Sequence, residues 1–328
     1  MGSGFSVEVL RGGRVESRHG GTFVVADAEG GIVLSAGDPD RAIYPRSAVK
    51  ALQALPLLVS GAADRFGLSE AEIALSCASH CGSPVHAATA ERMLARAGRE
   101  TQCLECGAHW PSSAGAARAL AAEGGLPSAL HNNCSGKHAG FVCTAVATGQ
   151  DPAGYVAAEH PVMVAVTRAM GEVLAVRLES QAPAVDGCSI PVFMIPMRAL
   201  AAGFARFGTG RGLPAEFAAA APRLRRAVAA NPQMLAGEGL FDSVVSAALG
   251  EAAFIKGGAE GVYCGALPAL GLGFALKCDD GAARAAEVAV ACLLRRLLGA
   301  HPVLDRLAAP VLTNWNGVVV GEMRATLD

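Results

Sequence analysis

Strand-type patterning is confined to the two ends of this chain, and helical spacing fills the middle. Near the N-terminus, residues 22–26 form an apolar, β-branched run. Glu29-Gly30-Gly31 is a turn signal, and residues 32–35 resume the strand pattern. The character changes at Asp38-Pro39-Asp40. Pro45 suits a helix entrance, and Ala48, Leu52 and Leu55 recur at helical spacing. Ser69 and Glu72 have the spacing of a capping box, and Ser83-Pro84 opens a helix that runs to Gly98. Further helices are predicted over 112–122, 137–148, 161–176, 214–230 and 239–249. Short strands return at 253–256, 261–263 and 273–277. Asp279-Asp280-Gly281 is a turn, followed by a helix over 284–298 and a last strand over 318–323. One sheet built from both chain ends, with a helical lobe inserted between them, predicts an α+β fold. The whole of 1–328 is then a single catalytic domain, with a sheet lobe over about 1–44 and 250–328 and a helical lobe over about 45–249. A cleft between the lobes is the natural place for a small molecule.

A hydrophobic fraction of 52% in 328 residues is enough for a sizeable core. The formal charge of -2 and the lack of any long basic run speak against nucleic acid as a partner. The apolar stretch 285–298 carries Glu287, Arg295 and Arg296 and is too short to span a bilayer, so no membrane role is expected. Residues 1–11 lack a basic region followed by an apolar one, and a cytoplasmic location is the default expectation.

Five runs carry candidate chemistry. Ser47-Ala48-Val49-Lys50 places a hydroxyl and an amine at i and i+3, on one face of a helix. Such a lysine can activate the serine if burial leaves its amine neutral. The S-x-x-K spacing is also common on solvated helix faces. Arg46 beside it could face a substrate carboxylate or be an ordinary surface arginine. The run Ala78-Ser79-His80-Cys81-Gly82-Ser83 gathers reactive side chains just before a helix start, though a plain capping loop fits it too. His131-Asn132-Asn133-Cys134-Ser135-Gly136-Lys137-His138 is denser in polar donors than a capping loop requires. Val185-Asp186-Gly187-Cys188 pairs a carboxylate with a thiol, or is simply an Asp-Gly turn. In Phe254 to Gly261 a strand ends on Lys256 and meets glycines that admit a ligand to the backbone; an edge lysine that blocks strand pairing is the other reading. His80, Asn133, Asp186 and Glu260, together with Arg46, are the candidate substrate contacts.

The ten cysteines are scattered along the chain, which argues for mostly reduced thiols. Cys103 and Cys106 form an isolated C-x-x-C, a redox pair or half of a zinc site. Cys134 and Cys188 each sit in a polar run, and two thiolates are good zinc ligands that still need a third donor. Lys137, one helical turn from Cys134, is an unusual donor and could serve only as a neutral amine.

Taken together, Ser47 to Lys50, Ala78 to Gly82, His131 to His138, Val185 to Cys188, Asn231 to Asp242 and Phe254 to Gly261 resemble the Rhizobium-type, zinc-binding L-asparaginase family, in order and over nearly the whole chain. The resemblance implies hydrolysis of L-asparagine to L-aspartate and ammonia. It implies a fold similar to serine β-lactamases and glutaminases, and a homodimer. It implies two Ser–Lys pairs, Ser47 with Lys50 and Ser79 with Lys256, a zinc ion held by Cys134, Lys137 and Cys188, and Asp186 beside the site. Asp242 departs from the pattern, standing where the family has a cysteine. The alternatives are a glutaminase or another β-lactamase-like serine amidase and, in a different class, a zinc- or thiol-dependent binding or redox-sensing protein.

Overall fold

The computed structural model describes residues 4–327. Its centre is an antiparallel sheet to which both chain ends contribute. From the N-terminal side come β1 (Phe5–Arg11), β2 (Arg14–Asp27) and β3 (Ile32–Ala36). From the C-terminal side come β4 (Phe254–Gly258), β5 (Val262–Leu267), β6 (Leu272–Cys278), β7 (Val311–Thr313) and β8 (Val319–Thr326). The order across the sheet is β7-β8-β1-β2-β6-β5-β4, with β3 on the second half of β2. The long β2 joins the two sets: its first half pairs β1, and its second half pairs β6 with Phe23 opposite Leu276. At the other end of the chain, Ser6 pairs Thr326 in β8.

Both faces of the sheet are covered, so the chain forms a helix–sheet–helix sandwich. Successive side chains of a strand point to opposite faces. Val24, Ala26, Cys264 and Ala275 therefore join the core shared with the middle helices, whereas Phe23, Val25, Tyr263 and Phe274 join the core under the last long helix. Double burial explains why 22–26 is an unbroken apolar run rather than an alternating one.

The middle of the chain folds as the spacing predicts. After a short 3-10 turn, Arg46–Val49, comes α1 (Lys50–Gln53). Ser69 and Glu72 do form the capping box. Then follow α2 (Pro84–Arg96), α3 (Ser135–Ala147), α4 (Pro161–Leu174), α5 (Met197–Thr209), α6 (Ala215–Ala230) and α7 (Phe241–Leu249). The last long helix, α8 (Ala283–Leu298), lies on the far face of the sheet. Parts beyond the sequence reading include β1 with the first half of β2, the edge strand β7, and α5, which packs directly on the sheet. No helix among the described residues is long and apolar enough to cross a membrane.

Candidate active site

The turn that carries Ser47 is held by an unusual local geometry. Arg46, just before it, has a positive φ of 50°, a conformation that costs a non-glycine residue free energy and needs support from its surroundings. Two supports are visible. Arg46 Nε donates to Asp186 Oδ1 at 2.6 Å. Gly258, at the end of β4, lies directly against the turn; a Cβ there would sit 2.7 Å from Pro45 O and 2.9 Å from Ala48 N. Glycine at 258 thus lets the sheet edge approach the Ser47 turn.

Between these parts lies a cavity of about 310 Å³, with Ser47, Ser79, Asn133, Asp242, Lys256 and Glu287 among its lining residues. Lys50 sits beneath it and is 1% exposed. Its Nζ donates to Ala78 O at 2.6 Å and to Ser79 Oγ at 2.9 Å, and reaches Asn133 O at 3.4 Å. Burial pushes the Lys50 pKa below the ordinary lysine range. The Cys134 thiolate opposes that shift, and the charges of Lys137 and Lys256 add to it. The direct Ser–Lys hydrogen bond is therefore Ser79 to Lys50, across two runs, rather than Ser47 to Lys50 within one. Ser47 shares the cavity wall with Ser79 and Lys256. Lys256 is also buried; its Nζ donates to Gly257 O at 2.6 Å and to Asp242 Oδ2 at 3.2 Å. Asp242 further accepts from Gly257 N at 2.9 Å, so the aspartate at the departure position pairs with the second lysine.

The three residues expected to bind metal come together. Cys134, Lys137 and Cys188 are all buried, and Lys137 Nζ donates to Cys188 Sγ at 3.1 Å. A hydrogen bond from the Cys188 thiol holds Cys134 well below the usual thiol range, against the effect of burial, and the same bond, together with burial, raises Cys188. Burial acts to lower Lys137, but the charges of Cys134 and Cys188 outweigh it and raise its pKa. Two thiol sulfurs are good zinc donors, and the Lys137 amine beside Cys188 could complete the set once the ion displaced its proton. A second group of potential ligands, His19, Cys278 and Asp280, has its donor atoms within 4.8 Å of one another, and none of the three lines the cavity.

The other expected contacts are dispersed. Arg46 and Asp186 pair with each other and lie off the cavity wall. His80 is 1% exposed and acts as an internal strut. Gly82 N donates to its Nδ1, which leaves Nε2–H to donate to Ser135 Oγ at 2.9 Å. Burial, then the charge of His86, holds it well below the ordinary histidine value, and hence neutral. Asn133 does line the cavity. Glu260 occupies a left-handed turn beyond β4 (φ 61°) and is exposed, with its carbonyl accepting from Lys277 Nζ. Cys103 and Cys106 are free thiols, and burial pushes Cys106 up to about 12, the opposite of a reactive cysteine.

Two cavity residues escaped the sequence reading. Tyr263 projects from β5 with its ring edge-on to Phe241, and Glu287 reaches the cavity from α8. Glu287 had one visible signal, as the lone acid in a helical stretch that is otherwise apolar from Ala285 to Leu294 and carries its arginines only toward the ends.

The family model described as L-asparaginase II matches residues 7–325. A search of curated proteins gave no match. Among solved structures, the one described as "Crystal Structure Analysis of Mglu in its native form" is 17% identical; the alignment covers 86% of this chain and 64% of that one, with a TM-score of 0.38. The chain thus spans under two thirds of that protein's length. A family match that runs through every element of the sheet and through the whole Ser–Lys cavity makes the assignment plain: this chain belongs to the L-asparaginase II family.

Proposed function

We propose that the chain hydrolyses the side-chain amide of L-asparagine, with Ser47 as nucleophile and Ser79 with Lys50 as the base that serves it. The observation that carries this is the buried Lys50 amine, 2.9 Å from Ser79 Oγ, under a cavity that Ser47 also lines. Ser47 Oγ attacks the amide carbon, and its proton passes by way of Ser79 to neutral Lys50. The Ser47 backbone N–H, at the start of the turn, serves the developing oxyanion in this reading, since Ala48 N is taken by Pro45 O. When the C–N bond breaks, the proton returns through Ser79 to the departing amine and ammonia leaves. Water then attacks the acyl-Ser47 ester and loses its proton along the same path; the bond from the carbonyl carbon to Ser47 Oγ breaks, the proton returns through Ser79 to Ser47 Oγ, and L-aspartate leaves. Lys256, paired with Asp242, also lines this cavity and contributes positive potential there. Cys134, Lys137 and Cys188 would hold zinc, which when bound supplies a Lewis-acidic point for orienting a polar substrate group.

The direct Ser79–Lys50 bond favours a second reading in which Ser79 itself attacks. One set of measurements separates the two. Ammonia release from L-asparagine, with L-glutamine in parallel, is followed in wild type, Ser47→Ala, Ser79→Ala and Lys50→Met. The trapped acyl-peptide is located by mass spectrometry and zinc is counted in the same preparations. Rates in all three variants are expected to fall by about a hundredfold or more. The label should lie on Ser47, and about one zinc per chain should be lost in Cys134→Ser. Full activity in Ser47→Ala, or a label on Ser79, overturns the nucleophile assignment. Zinc retained in Cys134→Ser removes the metal site.

A further inference from the structure

An amino-acid amide brings two charges into a pocket besides the group that reacts. An α-ammonium taken out of water needs a carboxylate, and preferably one with no other cation to satisfy. The acids near the cavity can be sorted on that criterion. Asp186 is paired with Arg46 at 2.6 Å and lies off the cavity wall. Asp242 is 3.2 Å from Lys256 and also accepts from Gly257 N. Glu260 is exposed on its turn, away from the wall. That leaves Glu287. It lines the same cavity as Ser47 and Ser79 and is partly buried, and no lysine, arginine or histidine among the described residues forms an ion pair with it.

Resting on the reading above, we propose that Glu287 is the anchor for the substrate's α-ammonium and that this carboxylate restricts the enzyme to amides that carry an α-amino group. Its surroundings suit the task. Burial, and then the negative charge of Asp242, raise its pKa to about 7, with only the Tyr263 hydroxyl pulling the other way. A cation placed beside this carboxyl favours its charged form and so opposes that shift. Tyr263 is fixed between Gly257 and Phe241. A Cβ at Gly257 would lie 2.9 Å from the Tyr263 hydroxyl, so the phenol is wedged against the backbone that also carries Lys256. Charge is thereby divided across the cavity: Asp242 neutralises the protein's own lysine, and Glu287 is left for the ligand.

The test compares L-asparagine with succinamate, the same amide without the amino group, in wild type, Glu287→Gln and Glu287→Asp. The wild-type preference for L-asparagine, as a ratio of kcat/KM values, should fall about tenfold or more in Glu287→Gln, the loss appearing mainly in KM. Glu287→Asp, which keeps the charge, should retain more of the preference than the glutamine variant. An unchanged ratio, or equal losses in both variants, overturns the proposal. Calorimetric binding of L-aspartate against succinate makes the test independent of turnover. Wild type should favour L-aspartate, and Glu287→Gln should lose that preference by a similar factor. If neither amide is hydrolysed, the hydrolase reading fails, and the binding ratio still decides the role of Glu287.

Discussion

Glu287 is positioned to matter for stability as well as for ligand choice. Its carboxyl is raised to about 7 by burial and by Asp242, with Tyr263 opposing and Lys256 on the same cavity wall. An acid whose pKa is raised on folding holds its proton more tightly in the native state than in the unfolded one. Stability then declines as pH climbs from the ordinary glutamate range through about 7, and changes no further above that. Glutamine at this position removes the titration. The Tm of Glu287→Gln should exceed that of wild type at about pH 8 and converge on it at about pH 5. A Tm difference that is the same at both pH values would show that the cavity does not hold this carboxyl neutral. The same rule moves the Lys50 amine the other way: burial favours its neutral form too, which lowers its pKa and leaves the form a base requires.

At the scale of elements, the site depends on a strand touching a helical turn. Gly258 allows β4 to reach the Ser47 turn, and the atoms a Cβ would meet, Pro45 O and Ala48 N, are both backbone. Neither can swing aside as a flexible side chain would. Gly258→Ala should therefore displace the turn, cost about 1–3 kcal/mol of stability and lower kcat more than KM. An active variant with unchanged Tm would show that the contact is slack. This contact also marks how far the sequence was legible. Local signals served well: the capping box at Ser69 and Glu72, the proline at the start of α4, and the positions of β4 to β6 between glycines. The α+β class followed from the strands at both ends. The helix α5 went unread although its pattern is amphipathic: Arg198 and Arg206 mark an outer face opposite the buried Leu200, Ala201, Phe204 and Phe207. In the site, the runs around Ser47, Ser79, Cys134 and Lys256 were visible as runs. Which lysine touches which serine was not, since the Lys50–Ser79 bond joins residues on separate elements. His80 shows the complementary case, a reactive residue type in a suggestive run that serves as a buried strut.

At the scale of the molecule, the sheet ends in β7, a short edge strand whose hairpin partner is β8. Val311 and Val319 are well exposed here, and Trp315 at the hairpin tip is fully so. An uncovered edge with an aromatic tip suits pairing with another chain, and this supports the proposal that the protein is a homodimer. Light scattering should give twice the chain mass, and Trp315→Glu should shift it toward the single chain. A wild-type mass equal to one chain sets the proposal aside. The joining of the two chain ends in one sheet has another consequence. Ser6 finds its partner in Thr326, and β2 finds its partner in β6. A chain growing on the ribosome at the usual pace emerges over on the order of tens of seconds. β1, β2 and β3 can pair with one another early, but β8 on β1 and β6 on β2 are supplied only by the last part of the chain, so the sheet is completed last. Until then the three-stranded N-terminal piece has open edges on β1 and on the second half of β2.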